Sequence, residues 1–145
     1  MEVKIKKLNE KATIPTYGTN SSAGADLYAM IDSTLSINPN ETVIIPTGIA
    51  MAIPENYVGL IYARSSLGTK KGLAPANKVG VIDSDYRGEI KVVLYNHSSK
   101  TQTIEPNERI AQMVITPFVK GNFIETNELD ETKRGTGGFG STNKE

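Results

Sequence analysis

Short apolar runs separated by turn residues recur along this chain, and they predict β-strands rather than helices. The clearest runs cover residues 42–53, 57–63, 88–96 and 109–118, with proline-containing turns at 54–56 and 106–108. Helical periodicity is nearly absent. Only residues 67–73 suggest a brief helix, and two glycines within it argue against a longer one. Many short strands predict an all-β fold, a sandwich or barrel of jelly-roll type.

Length and composition predict one barrel domain with a separate tail. The chain of 145 residues is long enough to bury a real core, which we assign to residues 1–126, and a glycine-rich tail follows at 127–145. The alternating, charged residues 1–8 predict an edge strand rather than a signal peptide, and no apolar stretch approaches membrane-spanning length. We therefore expect a cytoplasmic protein with no membrane partner.

Charge and cysteine content exclude several classes of function. Sixteen basic and sixteen acidic residues give a formal net charge of zero, so nothing indicates nonspecific nucleic-acid binding. The chain has no cysteine, which excludes disulfides, thiolate zinc sites and the zinc-dependent nucleotide deaminase signature. If the protein binds a nucleotide, its specificity must therefore come from a local group of residues and not from the overall charge.

A polar turn between two apolar strands carries the first candidate chemistry. Residues 79–82 lead in and 90–94 lead out with period-two alternation, so residues 84–88 are predicted as a hairpin connection. Asp83 can orient and deprotonate a water, and the ring of Tyr86 can pack on a flat sugar or base. The alternative is a solvated polar hairpin tip, since these are ordinary turn residues.

A second cluster, Arg64-Ser65-Ser66, follows an apolar strand and suits a phosphate. Arginine binds phosphate oxygens through two parallel charge-assisted bonds, and hydroxyls with free amides complete an anion site. The alternative is that Ser65 or Ser66 caps a short helical turn.

The tail supplies a third cluster, in which four glycines surround Arg134, Phe139 and several hydroxyls. Ordering such a segment costs roughly 1 to 2 kcal/mol per residue, so contacts with a ligand would have to pin it. A stacked Phe139 is worth roughly 1 to 3 kcal/mol per base, and Arg134 suits phosphate. The alternative is a disordered glycine-rich terminus.

Five sequence blocks, in this order, resemble the trimeric dUTPases (deoxyuridine triphosphate nucleotidohydrolases). They are AGADLYA at 23–29, ARSSLG at 63–68, GVIDSDYRGE at 80–89, RIAQM at 109–113 and RGTGGFGST at 134–142. The resemblance implies a Mg²⁺-dependent hydrolysis of dUTP to dUMP and pyrophosphate by water attack on the α-phosphate. It also implies a role in limiting uracil incorporation into DNA and supplying dUMP for thymidylate synthesis. The assembly that it implies is a homotrimer with shared active sites.

The resemblance also implies roles for individual residues. Asp83 would activate the water, Tyr86 would lie beneath the deoxyribose, and Asp26 would hold the magnesium through its bound waters. The remaining substrate contacts fall into four groups: the uracil edge (Asn77, Gly80, Val81, Ile82), the phosphates (Arg64, Ser65, Ser66, Gln112), the lid over the uracil (Phe139, with Gly140 beside it) and the distal phosphates (Arg134, Ser141, Thr142).

Two other functions stay open from the sequence. A dCTP deaminase on the same scaffold would resemble those relatives that place a Glu in the strand after the hairpin, where this chain has KVVLYN at 91–96. A noncatalytic trimeric binding module would keep the fold but release no product. Among single residues, His97 is predicted as a loop residue rather than a base, and Arg109 as either an ion-pair partner or a ligand.

Overall fold

The computed structural model describes residues 1–140, and these form twelve strands and one short helix. The strands are β1 (Lys4–Lys7), β2 (Thr16–Tyr17), β3 (Ala25–Tyr28), β4 (Leu35–Ile37), β5 (Thr42–Pro46), β6 (Ile49–Ala52), β7 (Tyr57–Tyr62), β8 (Leu73–Pro75), β9 (Gly80–Ile82), β10 (Lys91–Asn96), β11 (Gln102–Ile104) and β12 (Arg109–Pro117). The helix, α1, covers Ser65–Lys71 between β7 and β8. The predicted all-β fold of jelly-roll type is confirmed.

The strands pair in four sheets, and every pair is antiparallel. The largest sheet has the order β2-β3-β12-β7-β9, a second has the order β5-β10-β8, and the pairs β1-β6 and β4-β11 complete the barrel. Sequence neighbours are rarely sheet neighbours, so long connections cross between the sheets. The nine-residue strand β12 lies at the centre of the largest sheet, between β3, which carries Asp26, and β7, which leads to Arg64 and α1.

Alternating side chains of these strands fill one core. On β10 the side chains of Val92, Leu94 and Asn96 point inward and are at most 1% exposed, while Lys91 points outward. Asn96 is the buried polar member, and its amide donates to the carbonyls of Ile37 and Lys100. Because its polar atoms are paired, burial costs little.

The predicted strand at 42–53 is wrong in one respect: a turn at Thr47 and Gly48 divides it into β5 and β6. Gly48 has φ +67°, and a Cβ there would lie 2.8 Å from the Cβ of Ala12 and 2.9 Å from the Cγ of Met30. Only glycine fits this backbone, so the chain bends here. The two halves pair with different strands, β5 with β10 and β6 with β1.

The predicted hairpin at 84–88 is also wrong, because within residues 1–140 the flanking strands β9 and β10 do not pair with each other. β9 pairs with β7, whereas β10 pairs with β5 and β8. Period-two alternation predicts strands but not their partners. The segment after Asp83 is therefore a loop that crosses from one sheet to another.

The predicted helix at 67–73 is displaced by two residues. It begins at Ser65 and ends at Lys71, with Gly72 at φ +65° as its left-handed C-cap. Lys71 Nζ forms a 2.6 Å ion pair with Glu108 Oε1, which fastens the helix end to the turn before β12.

The last strand ends at Pro117, and from Phe118 to Gly140 the side chains are exposed or half-buried. The division into a barrel at 1–126 and a tail at 127–145 stays a prediction.

Candidate active site

A cleft of about 430 Å³ lies where β3, β7 and β12 meet the start of α1. Asp26 on β3 stands opposite Gln112 on β12, so the two side chains share this face of the sheet. The Asp26 carboxylate is only 11% exposed, and both of its oxygens accept hydrogen bonds from arginines. Arg64 Nε donates to Oδ1 at 2.7 Å, and Arg109 Nη1 donates to Oδ2 at 3.2 Å.

Of the predicted phosphate ligands, Arg64, Ser65 and Gln112 line this cleft, and Ser66 is hydrogen-bonded to Arg64. Arg64 ends the extended segment after β7 and is the N-cap residue of α1, with no side-chain capping bond, so the alternative of a capping Ser65 or Ser66 is wrong. Arg64 Nη1 donates to Ser66 Oγ at 3.2 Å, and Ser65 lines the cleft. Gln112 Nε2 donates to the carbonyl of Ala63 at 2.9 Å.

Gly24 makes room for the amide of Gln112. A Cβ at position 24 would lie 3.0 Å from Gln112 Cδ and closer still to Oε1. The glycine in the block AGADL is therefore required by a side chain of another block, 88 positions later in the sequence.

Charge makes the cleft suitable for an anion. Two guanidinium groups and one carboxylate leave a net positive charge, and the hydroxyls of Ser65 and Ser66 with the amide of Gln112 can donate further hydrogen bonds. The arrangement can bind phosphate oxygens.

Asp83 and Tyr86 lie on the crossing loop, beside a second cleft of about 550 Å³. The Asp83 side chain is exposed, and its carbonyl accepts a 3.1 Å hydrogen bond from the Tyr86 amide, which closes a turn. Tyr86 Oη donates to the carbonyl of Glu89 at 3.1 Å, and its ring lies so close to Gly88 that no Cβ would fit there. Arg87 donates to the carbonyls of Ser84 and Tyr86 and braces the same loop.

Glu89 anchors this loop to the turn between β5 and β6, a role that the sequence did not reveal. Its Oε1 accepts a 2.9 Å hydrogen bond from the Gly48 amide, and the Ile90 amide donates to the Ile49 carbonyl at 2.9 Å. Because the loop is fastened at its end, Asp83 and Tyr86 are held in place although β9 and β10 do not pair with each other.

The residues predicted to read uracil lie at the start of β9. A Cβ at Gly80 would be 3.4 Å from Asn77 Nδ2, so these two residues are adjacent. Val81 is 61% exposed and Ile82 is half-buried. Asn77 and Val81 are thus exposed, whereas Gly80 is buried.

The two halves of the predicted site lie at opposite ends of the strand pair β7-β9 within this chain. Ile82 pairs with Gly59, so Asp83 lies near Val58, whereas Arg64 follows the other end of β7. Six residues at about 3.3 Å each separate those positions by about 20 Å. The structure therefore does not bring Asp83 and Arg64 together in one chain.

The tail residues have no packing against the barrel core among residues 1–140. Arg134 Nε donates to the carbonyl of Gly137 at 2.9 Å, and Phe139 is fully exposed with φ +50° beside Gly140 at φ +92°. The predicted contacts Ser141 and Thr142 lie outside the described residues.

Of the other predicted residues, His97 packs edge to face on Tyr95 with ring centroids 4.5 Å apart and lines neither cleft. Of the two predicted roles of Arg109, the structure shows the ion pair, with Asp26, and the side chain also lines the cleft. Its position in RIAQM was visible in the sequence, but its carboxylate partner, 83 positions away, was not.

Comparisons with known proteins identify the family of this chain. Residues 10–143 match the dUTPase family model. The chain is 51% identical over 144 residues to a deoxyuridine 5'-triphosphate nucleotidohydrolase of Nautilia profundicola, covering 99% of this chain and all of the relative. A protein of the same name from Hydrogenobaculum is 49% identical over 142 residues, with 98% of each chain covered. This chain belongs to the dUTPase family.

A solved structure agrees with this assignment. The dUTPase of Staphylococcus bacteriophage 80alpha, a G164S mutant with bound dUpNHpp, superimposes with a TM-score of 0.88 at 27% identity. The match covers 97% of this chain and 98% of that one. Among residues 1–140 no helix is long and apolar enough to cross a membrane.

Proposed function

We propose that this protein hydrolyses dUTP to dUMP and pyrophosphate, by attack of water on the α-phosphate. The observation that carries the proposal is the pairing of two complementary half-sites, a cationic cleft around Arg64 and a carboxylate loop around Asp83, in a member of the dUTPase family. The first half-site suits a triphosphate, and the second suits a nucleoside and an attacking water.

Asp83 is the general base in this proposal. Its carboxylate is exposed at the cleft and lies on a turn that is closed by the Tyr86 amide. A positioned base contributes roughly 10²- to 10⁴-fold to a rate. The rest of the acceleration must come from charge stabilisation of the transferring phosphoryl group by Arg64 and the donors around it.

Tyr86 provides the surface for the deoxyribose. Its ring is held over Gly88 by the bond from Oη to the Glu89 carbonyl, and it stays 44% exposed. Asn77 and the backbone of 80–82 supply donors and acceptors for the uracil edge.

The active site is assembled from more than one copy of the chain. Asp83 and Arg64 of the same chain lie about 20 Å apart, so they cannot both act on one phosphate of a bound nucleotide. A cyclic assembly in which the Asp83 loop of one copy faces the Arg64 cleft of the next resolves this mismatch. We propose the homotrimer that the family resemblance implies.

The residues around Asp26 fit a magnesium ion that arrives with the nucleotide. Among residues 1–140 no group of three metal-binding side chains is present, so this part of the chain offers no preformed cage. Mg²⁺ usually keeps several waters and is bound through one or two carboxylates plus substrate phosphates. Each Asp26 oxygen accepts one arginine hydrogen bond and keeps a lone pair for a metal-bound water. When bound, the ion would neutralise charge on the phosphates.

The tail closes the site in this proposal. Phe139 covers the uracil, with Gly140 beside it, and Arg134, Ser141 and Thr142 bind the distal phosphates. The support is the full exposure of Phe139 and the lack of packing of the segment 118–140 on its own barrel core. The cytoplasmic location, the absence of nucleic-acid and membrane partners and the metabolic role in keeping uracil out of DNA stay predictions.

The direct test is release of pyrophosphate from dUTP in the presence of Mg²⁺, compared with release of ammonia from dCTP. A dUTPase gives pyrophosphate and dUMP, a deaminase gives ammonia, and a binding module gives neither. Strand β10 carries no carboxylate, so we expect no ammonia. Absence of pyrophosphate would refute the proposed function.

The shared site is tested by mixing two inactive variants, Asp83→Asn and Arg64→Gln. After denaturation and joint refolding at equal amounts, about one site in four combines an intact Asp83 with an intact Arg64 from its neighbour. We expect recovery of about a quarter of the wild-type activity, while each variant refolded alone stays inactive. Inactive mixed assemblies would contradict sites shared between copies.

A further inference from the structure

An irregularity in β12 turns Arg109 toward the cleft around Asp26 and Arg64 (the phosphate cleft). The register with β3 pairs Asp26 with Gln112 and Leu27 with Ala111, but then shifts so that Tyr28 pairs with Arg109. In a regular strand the residue that shares a face with Gln112 would be Ile110, because side chains alternate. The extra residue reverses this, so Ile110 is buried and Arg109 lies on the cleft face. Bulges next to active sites commonly re-aim a side chain in this way.

The guanidinium of Arg109 donates to one oxygen of the Asp26 carboxylate, and the other oxygen accepts a hydrogen bond from Arg64. Arg109 Nη1 donates to Asp26 Oδ2, while Arg64 Nε donates to Oδ1. The terminal torsion of an aspartate is broad, so a carboxylate held at one oxygen can rotate. A second donor on Oδ2 fixes the carboxylate plane and thereby the direction of Arg64.

Charge gives Arg109 a second effect. A buried Asp26 facing Arg64 alone would cancel its charge and leave the pair with no net attraction for a polyphosphate. With Arg109 the group of three side chains keeps one net positive charge, and Oδ2 accepts a hydrogen bond of its own.

We propose that Arg109 is a positioning residue of the phosphate cleft, which acts through Asp26 to orient Arg64 and to offset the carboxylate charge. This inference rests on the proposed function of the cleft. It predicts that Arg109 has an effect only while the Asp26 carboxylate is present.

A double-mutant cycle tests this dependence. Arg109→Gln, Asp26→Asn and the double variant are compared with wild type for kcat/KM on dUTP and for the Kd of dUpNHpp, with assembly checked by size and thermal unfolding. We expect Arg109→Gln to lower kcat/KM by about tenfold in the wild-type background, the loss typical of one hydrogen bond to a charged group. In the Asp26→Asn background we expect the same substitution to change it by less than about twofold.

A surface ion pair provides the matched control. Lys11 pairs with Asp32 at 2.7 Å, but both side chains are more than 70% exposed and neither lines the two clefts. Lys11→Gln removes an equal charge and should leave kcat/KM and Kd unchanged. If Arg109→Gln fails to assemble, Arg109→Lys, which keeps a cation, is carried through the same cycle.

Equal losses in both backgrounds would overturn the proposal, because Arg109 would then act independently of Asp26. A change below twofold in the wild-type background would overturn it as well. If wild type releases no pyrophosphate, the proposed function fails, and the same cycle measured on the Kd of inorganic tripolyphosphate still decides the role of Arg109.

Discussion

Substitution of Gly24 by alanine should damage the phosphate cleft without touching a charged group. The added Cβ would lie 3.2 Å from Gln112 Cβ and 3.0 Å from Gln112 Cδ, and it would overlap Oε1. The end of the glutamine can move, but only by giving up the bond from its Nε2 to the Ala63 carbonyl.

The stability loss follows from these contacts. Loss of one neutral hydrogen bond costs about 1 kcal/mol, and overpacking adds about 1 to 2 kcal/mol. The expected decrease in unfolding free energy is therefore about 2 to 3 kcal/mol, or about 7 to 10 °C in Tm for a chain of this length. Because the assembly is proposed to be oligomeric, all variants are compared at one protomer concentration.

Activity should fall as well, because Gln112 is proposed to bind the phosphates and a displaced amide would lose that contact. A hydrogen bond to a charged group is worth about 1.5 to 3 kcal/mol, so we expect kcat/KM to fall by about tenfold or more. The measurements are thermal unfolding and pyrophosphate release at 25 °C.

Gly68→Ala is the matched control for this substitution. Gly68 lies inside α1, and a Cβ there would meet no atom within 4 Å. Alanine should raise the unfolding free energy by about 0.5 to 1 kcal/mol, because glycine is the poorer helix former. A Gly24→Ala variant with the Tm and activity of wild type would refute the close packing of Gly24 on Gln112.

Three further predictions concern the barrel turn, the tail and the surface. Gly48→Ala should lower the unfolding free energy by about 2 to 4 kcal/mol in urea titrations, because its left-handed φ and the nearby Ala12 leave no room for a Cβ; an unchanged midpoint would argue against the turn. Deletion of residues 134–145 should leave the Tm unchanged but strongly reduce turnover, and near-normal turnover would reject the lid. The hydrogen bond from Lys11 lowers the pKa of Asp32, so its contribution to stability is present at neutral pH and is lost as pH falls; in an NMR titration the Asp32 midpoint should rise in Lys11→Gln.

The sequence alone determined the class of fold and indicated most of the residues to which the proposed chemistry is assigned. Short apolar runs between prolines and glycines predict strands because side chains alternate across a sheet, and that signal is local. The strands at 57–62, 91–96 and 109–117 were found in this way to within three residues. Likewise, Arg64, Asp83 and Tyr86 were proposed as site residues because chemically informative residues lie close together in the sequence, and the family resemblance supplied their proposed roles.

Tertiary structure decided what depends on partners distant in the sequence. The split at Gly48 comes from Ala12 and Met30, and the crossing loop after Asp83 comes from the pairing of β9 with β7 rather than with β10. The role proposed for Arg109 depends on a bulge and on a carboxylate 83 positions away. Local propensity does not encode register or sheet order, because these are set by the packing of the whole core. For the same reason, only the folded chain shows that Asp83 and Arg64 lie too far apart to serve one phosphate without a second copy.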